Sequence, residues 1–451
     1  MKRRTRTLID LDRNHVWHPF TQMKEWRAED PIIIERGRGN YLIDTEGKKY
    51  LDGVSSLWAN VHGHRKREID RAVKGQLGKV AHSTLLGLGN VPSIELARRL
   101  TAIAPRGLTK VFYSDDGSTA VEIALKMAFQ YWEQTKKKNT KKKFIAFTGA
   151  YHGDTFGSMS VGEIDIFVRK YRPLLFETLR APYPYCYRCT LKMSYPGCKT
   201  ACLGVFEEML RERRGETAAC VIEPGFEGAA GMISAPPGFL KGVRRLTRRY
   251  GVLMIADEVA AGFGRTGHMF ACDAEGVSPD LLCLAKGLTG GYLPLAATLA
   301  TDRIYRAFLG KHDEFKAFFH GHTYTGNPLG CVAAIANLDV FERERTLDAL
   351  KGRISLLKEL LNGLADLPRV GDIRQTGLVA GIELVKDRAT KEPYPANERV
   401  GHRVCMEARK SGLMIRPLGD TVVLMPPLSI KEKELEKMVR ITRGCIERLT
   451  R

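Results

Sequence analysis

Between about residue 70 and residue 330 the chain alternates two hydrophobic patterns. Short, continuous apolar runs, KVFYS, KFIAF, ACVIEP, GVLMIADEV and LLCL, are bounded by turn residues and read as buried strands. Between several of them lie stretches such as TAVEIALKMAFQYW, whose apolar positions recur at helical spacing. Strand and helix in alternation predict an α/β fold with a mainly parallel sheet. Ahead of it, PIIIERG and NYLIDTEGKKYLD read as short β pieces. After residue 331 the pattern changes. Two helical stretches, LGCVAAIANLDVFERE and LDALKGRISLLKELLNGLADL, precede GLVAGIELV, a further helix and MIRPL with TVVLMPP, and the chain closes on the helix KEKELEKMVRITRGCIERL. The expected organisation is an N-terminal segment over 1–70 packing with a small domain, a large domain over 71–330, and a smaller α+β domain over 331–451.

Composition changes this picture little. Hydrophobic residues make up 44% and charged residues 27%, ordinary values for a globular chain. No run of about 18 apolar residues predicts a membrane span. The basic N-terminus, MKRRTRTLIDLDRNHVWHPF, lacks an apolar core or a small-residue cleavage site, so a secretory signal is not expected. The net charge of +20 raises nucleic-acid binding as a function. Its densest run, KKKNTKKK over 136–143, carries no interleaved aromatics, and it reads as a solvated loop rather than a nucleic-acid reader. Six of the ten cysteines are scattered, as in a reducing, cytoplasmic setting.

The chemistry gathers at predicted strand ends, where open parallel sheets bind ligands. In VFYSDDGSTAVEIALKMA a strand passes through a polar turn into a helix starting at Ser118 or Thr119. Free N–H groups there, with Gly117 and the Ser118 hydroxyl, suit a phosphate, though taken alone the same residues read first as an ordinary helix cap. Asp257 follows a strongly apolar strand and needs a cationic partner, either an arginine or the protonated ring nitrogen of a ligand. Gly262, Gly264 and Gly267 form a literal GxGxxG, but no helical pattern follows them, so a dinucleotide fold is not expected. Lys286 ends an apolar run; burial there would favour its neutral, nucleophilic amine, unless it snorkels to the surface. Tyr151, in a glycine-flanked turn, could cover a flat ligand or pack in the core. Gly321, His322 and Thr323 lie in a polar segment able to bind an anion, or simply to lead into a helix. A phosphate cradle, an aromatic cover, a carboxylate and a carbonyl-trapping lysine together describe pyridoxal 5′-phosphate chemistry.

On these residues, and on HVWHPFTQM, LDGVSSLWANVHGH, GAYHGDTFGSMSVG, DEVAAGFGRTGHMFAC, FFHGHTYTGNPLGC and IRPLGDTVVLMPP, the chain resembles the class III pyridoxal-phosphate aminotransferases of fold-type I over nearly its whole length. The resemblance is strongest to the branch that converts 8-amino-7-oxononanoate to 7,8-diaminononanoate in biotin biosynthesis. It implies that Lys286 carries the cofactor and shuttles the proton, that Asp257 pairs with the ring nitrogen, and that Gly117 and Ser118 bind phosphate. It further implies that Tyr151 lies by the ring and contacts substrate, and that Gly321, with Phe20, Leu57 and Trp58, contacts substrate. His322 and Thr323 would complete the phosphate site from a second subunit, and Arg416 would hold the keto substrate's carboxylate. A homodimer with shared active sites, acting on small molecules and on neither nucleic acid nor membrane, is expected.

Three positions bear on the amino donor. Leu57 stands where S-adenosylmethionine users commonly show a first tryptophan beside Trp58, Phe20 where they show tyrosine, and Val423 where a tyrosine precedes LMPP. S-adenosylmethionine is the expected donor, with L-lysine, or a different ω-aminotransferase reaction, as the alternatives. Glu227 also departs from the wider class, which usually shows glutamine. Finally Cys186, Cys189, Cys198 and Cys202 are spaced C-x2-C-x8-C-x3-C, which could close a structural zinc site, or could be reduced thiols of a surface insertion.

Overall fold

The computed structural model describes residues 1–135 and 138–450. Its centre is a seven-stranded sheet. In spatial order the strands are Leu108–Ser114, Ala296–Thr301, Leu281–Leu284, Leu253–Asp257, Thr217–Ile222, Lys143–Phe147 and Thr178–Ala181. All run parallel except Ala296–Thr301, which pairs antiparallel with both neighbours. The sheet is thus the mainly parallel one that the alternation predicts.

The apolar runs are continuous because both faces are covered. Successive side chains point to opposite sides. Leu253 and Ile255, with Phe144 and Leu281, pack against Ala124, Leu125 and Ala128 of the helix Gly117–Thr135. Met254 and Ala256, with Ile145, Phe147 and Leu282, pack on the other face against Phe206 and Phe239, which begin or lie within the helices Cys202–Arg213 and Phe239–Arg249. Each large side chain enclosed in this way contributes about 2 kcal/mol of transfer free energy.

A second, four-stranded sheet holds Val370–Thr376, Val379–Leu384, Thr421–Leu424 and Arg416–Leu418 in that order, all antiparallel. The N-terminal strands Ile34–Arg38, Tyr41–Asp44 and Lys49–Asp52 form a third sheet, which the short strand Leu413–Met414 joins in parallel. No helix among the described residues is long and apolar enough to cross a membrane.

The lysine-rich run departs from a simple solvated loop. Lys136 and Lys137 lie outside the described residues, but the Lys141 ammonium donates to the carbonyls of Arg214, Thr217 and Gly251 at 2.6, 3.0 and 3.1 Å. Lys143 starts a strand. The run is partly a set of ties between loop ends, which apolar periodicity cannot show.

A buried ionic knot joins the cysteine-rich insertion to the second sheet. Arg374 meets Glu383 at 2.6 Å and Asp372 at 2.7 Å, and donates twice to the Gly231 carbonyl. Arg188 meets the same Glu383 at 2.7 Å, and the Tyr185 hydroxyl donates to it. Removing Glu383 would leave Arg374 buried with only Asp372 opposite it. The Glu383→Ala protein is expected to lose about 3 kcal/mol or more of stability, read as a lowered urea midpoint; an unchanged midpoint would show that the knot is solvated.

Candidate active site

The carboxyl ends of five parallel strands converge on a cavity of about 710 Å³ lined by Trp58, Gly117, Ser118, Tyr151, Asp257 and Lys286, among others. Lys286 enters it two residues beyond the strand Leu281–Leu284, after Ala285. Its φ of +44° is a conformation costly for a side-chain-bearing residue, held by a single tight turn. The next position must be small: a Cβ on Gly287 would sit 3.0 Å from the Phe263 Cβ. The Lys286 amine is enclosed by protein except where it faces the cavity. Burial lowers its pKa, Asp257 and Glu223 oppose that shift, and the buried Arg265 guanidinium adds to it. The Lys286 Nζ stands 5.2 Å from the centre of the Trp58 ring.

Asp257 is 5% exposed. Its Oδ2 is 2.7 Å from His152 Nδ1, and its Oδ1 accepts the Val259 N–H at 3.1 Å. No arginine lies within ion-pair distance of it among the described residues, so the salt-bridge reading of this carboxylate falls away. The His152 Nε2 is buried without a partner. Glu223, one residue beyond the strand Thr217–Ile222, accepts the N–H groups of Tyr151 and Gly228 at 3.0 and 3.1 Å. Burial pushes its pKa up to about 7, and the Asp257 charge pushes the same way.

The helix at the phosphate-type turn begins at Gly117, a residue or two earlier than expected, because Asp116 caps it by accepting the Thr119 N–H at 2.9 Å. A Cβ on Gly117 would meet Val259 at 2.5 Å, so the turn is drawn close to the strand end that carries Asp257. The Ser118 hydroxyl is already engaged, accepting from the N–H groups of Asp154 and Thr155 at 2.9 Å each and donating to Thr155 Oγ1. The anion-binding capacity of this turn therefore lies in its backbone N–H groups.

Tyr151 follows the strand Lys143–Phe147; its hydroxyl donates to Asp154 at 2.8 Å. Burial, then that carboxylate, raises its pKa. Arg416 lies near enough to Tyr151 to interact with it electrostatically, and burial lowers the arginine's pKa. Arg416 forms no ion pair with any carboxylate among the described residues, which leaves its guanidinium open to an incoming one.

Trp58 is buried, whereas the neighbouring Leu57 is 48% exposed and does not line the cavity. Both belong to an unusual turn: Ser55, Ser56, Leu57 and Trp58 have φ of 51, 47, 72 and 69°. Four successive non-glycine residues in this region are held there by outside bonds. Asp52 accepts the Ser56 N–H and hydroxyl at 2.9 and 2.7 Å. Arg265, 1% exposed, donates to the carbonyls of Asn60 and Pro426 at 2.7 and 2.6 Å. Val423 is fully buried in the cluster that also holds Trp58 and does not line the cavity. Phe20 is 58% exposed, and its ring meets Phe167 at 5.1 Å.

Gly321, His322 and Thr323 do not line this cavity. Gly321 and His322 line a separate groove with Leu86, Leu88 and Ile94, and Thr323 is exposed. The four clustered cysteines do come together around one small cavity of about 20 Å³, with Tyr183, Tyr185 and Tyr195. All four are free thiols, and no group of three or more His, Cys, Asp or Glu among the described residues is arranged to hold a metal. The four cysteines share this cavity, and nothing in the arrangement of the described residues gives evidence for zinc.

Sequence reading missed His152, Glu223, Arg265 and Phe167. Glu223 had the same signal as Asp257, an acid directly after an apolar strand. His152 stood inside a quoted motif, but its pairing joins residues 105 apart.

The chain matches the family described as aminotransferase class-III over residues 23–446. It is 60% identical to the adenosylmethionine-8-amino-7-oxononanoate aminotransferase of Nitratidesulfovibrio vulgaris, over 99% of this chain and 83% of that protein. It is 57% identical to the protein of the same description from Geobacter sulfurreducens, over 96% of each. A crystal structure of the Methanocaldococcus jannaschii protein of that description superposes with a TM-score of 0.94 at 48% identity, covering 98% of this chain and 99% of that one. The omega transaminase from Pseudomonas jessenii in complex with PMP also superposes with a TM-score of 0.94, at 32% identity and 98% coverage of each chain.

The structure also accounts for Glu227. It is 1% exposed, and its Oε2 has no hydrogen-bond partner. Burial, with Glu223 and Glu163 adding to it, holds its proton well above the usual carboxylate range. A neutral carboxylic acid has nearly the shape of a carboxamide, so glutamic acid can replace glutamine here. The folded protein keeps a proton that the unfolded chain releases above a pKa of 4.5. Stability is therefore lost as pH rises, by up to about 1.4 kcal/mol per pH unit while only the folded form stays protonated. The Glu227→Gln protein escapes that loss. Its melting temperature is expected to gain on the parent between roughly pH 5.5 and pH 8; a pH-independent difference would mean that Glu227 is already ionised.

Proposed function

The chain belongs to the class-III aminotransferase family, and on that premise we propose that it transfers an amino group from S-adenosylmethionine to 8-amino-7-oxononanoate, forming 7,8-diaminononanoate for biotin biosynthesis. The observation that carries the chemistry is one enclosed, pKa-lowered lysine, Lys286, beside a buried carboxylate that has no arginine partner, Asp257. The substrates follow from the near full-length relatives at 50–60% identity.

The residues present fit pyridoxal phosphate. The turn at Gly117 and Ser118 offers N–H groups to its phosphate. Asp257, oriented by His152, would hold a proton at the ring nitrogen. Tyr151 and Trp58 wall the cavity at its sides. When bound, the cofactor supplies a carbonyl carbon and a ring that accepts electrons. Lys286 is suited to both demands made of it. Its neutral amine attacks a carbonyl, and once released the same amine moves a proton at the substrate carbon that bears nitrogen. Arg416 holds the keto substrate's carboxylate through its planar, unpaired guanidinium. Two half-reactions use one site in turn, which implies ping-pong kinetics.

The protein works as a homodimer on this reading. Gly321, His322 and Thr323 stand outside their own chain's cavity, next to exposed Leu86 and Phe319 at 88% and 75%. An apolar surface bearing polar, anion-binding groups suits insertion into the partner's cavity. The six scattered cysteines are all unpaired, in keeping with a cytoplasmic setting.

Single-turnover spectra test the donor. S-adenosylmethionine is expected to bleach the yellow cofactor-bound protein, and 8-amino-7-oxononanoate to restore its colour. Bleaching by L-lysine alone would replace the donor while leaving the product in place. Lys286→Ala is expected to abolish turnover. Arg416→Ala should lower kcat/KM for the keto substrate by roughly 10- to 100-fold, the range for losing a charge-assisted hydrogen-bond pair.

A further inference from the structure

A row of three aromatic rings leads out of the cavity. Tyr151 lines the wall. Its ring meets Phe167 edge-on, with centroids 5.7 Å apart and planes at 71°. Phe167 meets Phe20 in the same manner, at 5.1 Å and 66°. Tyr151 and Phe167 are partly buried, and Phe20 is 58% exposed. Phe167 is the joint of the row. It lies on the short helix Asp165–Val168 and links two rings that are 131 residues apart in the chain, that of an N-terminal loop and that of a strand-end turn. Neither Phe20 nor Tyr151 meets the other's ring directly.

Resting on the proposed reaction, the two amino-group partners make different demands on one site. The keto substrate is an aliphatic chain ending in a carboxylate, for which Arg416 suffices. The donor adds a sulfonium, which favours aromatic faces, and a planar purine, which packs against aromatic faces and edges. The positions that could have supplied further rings do not: Leu57 is aliphatic and half-exposed, and Val423 is aliphatic, fully buried and not part of the cavity lining. Besides Trp58 and Tyr292, which line the wall itself, this row carries aromatic surface from the wall outward through Tyr151.

We propose that Phe167 is a positioning residue for donor specificity: it holds the rings of Phe20 and Tyr151 in one platform that receives the purine of S-adenosylmethionine, and it has no part in binding the keto substrate. Aromatic edge contacts of this kind are each modest, so the effect is selective rather than abolishing.

The experiment measures half-reactions of the cofactor-loaded parent, Phe167→Ala and Phe167→Tyr proteins with three amines. These are S-adenosylmethionine, S-methylmethionine (a sulfonium without a purine) and 7,8-diaminononanoate. Phe167→Ala is expected to lose about tenfold in kcat/KM with S-adenosylmethionine, mostly in KM, and to stay within about twofold of the parent with the other two. Phe167→Tyr, which keeps the ring, should stay within about twofold throughout. Equal losses on all three amines would mean a merely structural role and overturn the proposal, as would no loss on any. A parent protein that S-adenosylmethionine does not bleach would instead refute the donor reading itself, a failure visible before any variant is compared.

Discussion

Three ionisable groups, Lys286, Asp257 and Glu223, are enclosed at the same end of one sheet, and each must find a partner there. In water each would be charged. Inside, charge has to be matched or surrendered. Asp257 is engaged by His152 and a backbone N–H. Glu223 receives two backbone N–H groups and still has its pKa raised to about 7. Lys286 is drawn toward neutrality by burial and by Arg265. The result is an amine that is poised to react, beside an acid partner suited to a ligand's ring nitrogen. The doubly covered sheet makes this possible, because it places dry strand ends side by side and leaves their loops to supply polar groups.

Arg265 ties this chemistry to the rest of the molecule. It is buried to 1%, has no carboxylate within ion-pair distance among the described residues, and spends its donors on the carbonyls of Asn60 and Pro426. One guanidinium thereby holds the left-handed turn that carries Trp58, the loop before the last helix, and the charge balance of Lys286. The turn itself is a conformation that leucine and tryptophan would not choose alone, so its strain is met by Asp52, Ser55 and Arg265 together.

Much of this was legible in the residues. Apolar runs longer than alternation allows, interleaved with helical periodicity, specified a parallel sheet buried on both faces. Asp257 and Lys286 were conspicuous because a charged side chain after an apolar strand needs a reason. What could not be read was pairing at a distance. Nothing local marks His152 as the partner of Asp257, Phe167 as the link between Phe20 and Tyr151, or Lys141 as a tie to three carbonyls. The cysteines show what spacing can carry: it implied convergence, and the four thiols do line one small cavity. Leu57 and Val423, alike as missing aromatics in the sequence, differ in three dimensions, since one faces solvent and the other lies in the core.

The chemistry depends on the enclosed amine of Lys286, its pKa lowered by burial, being the one that meets the carbonyl. Borohydride reduction of the pyridoxal-phosphate-loaded protein, followed by peptide mass mapping, tests this directly. A single phosphopyridoxyl group on the peptide containing Lys286 is the predicted result, although the chain has many other lysines. Labelling spread over surface lysines, or centred on a different residue, would contradict it.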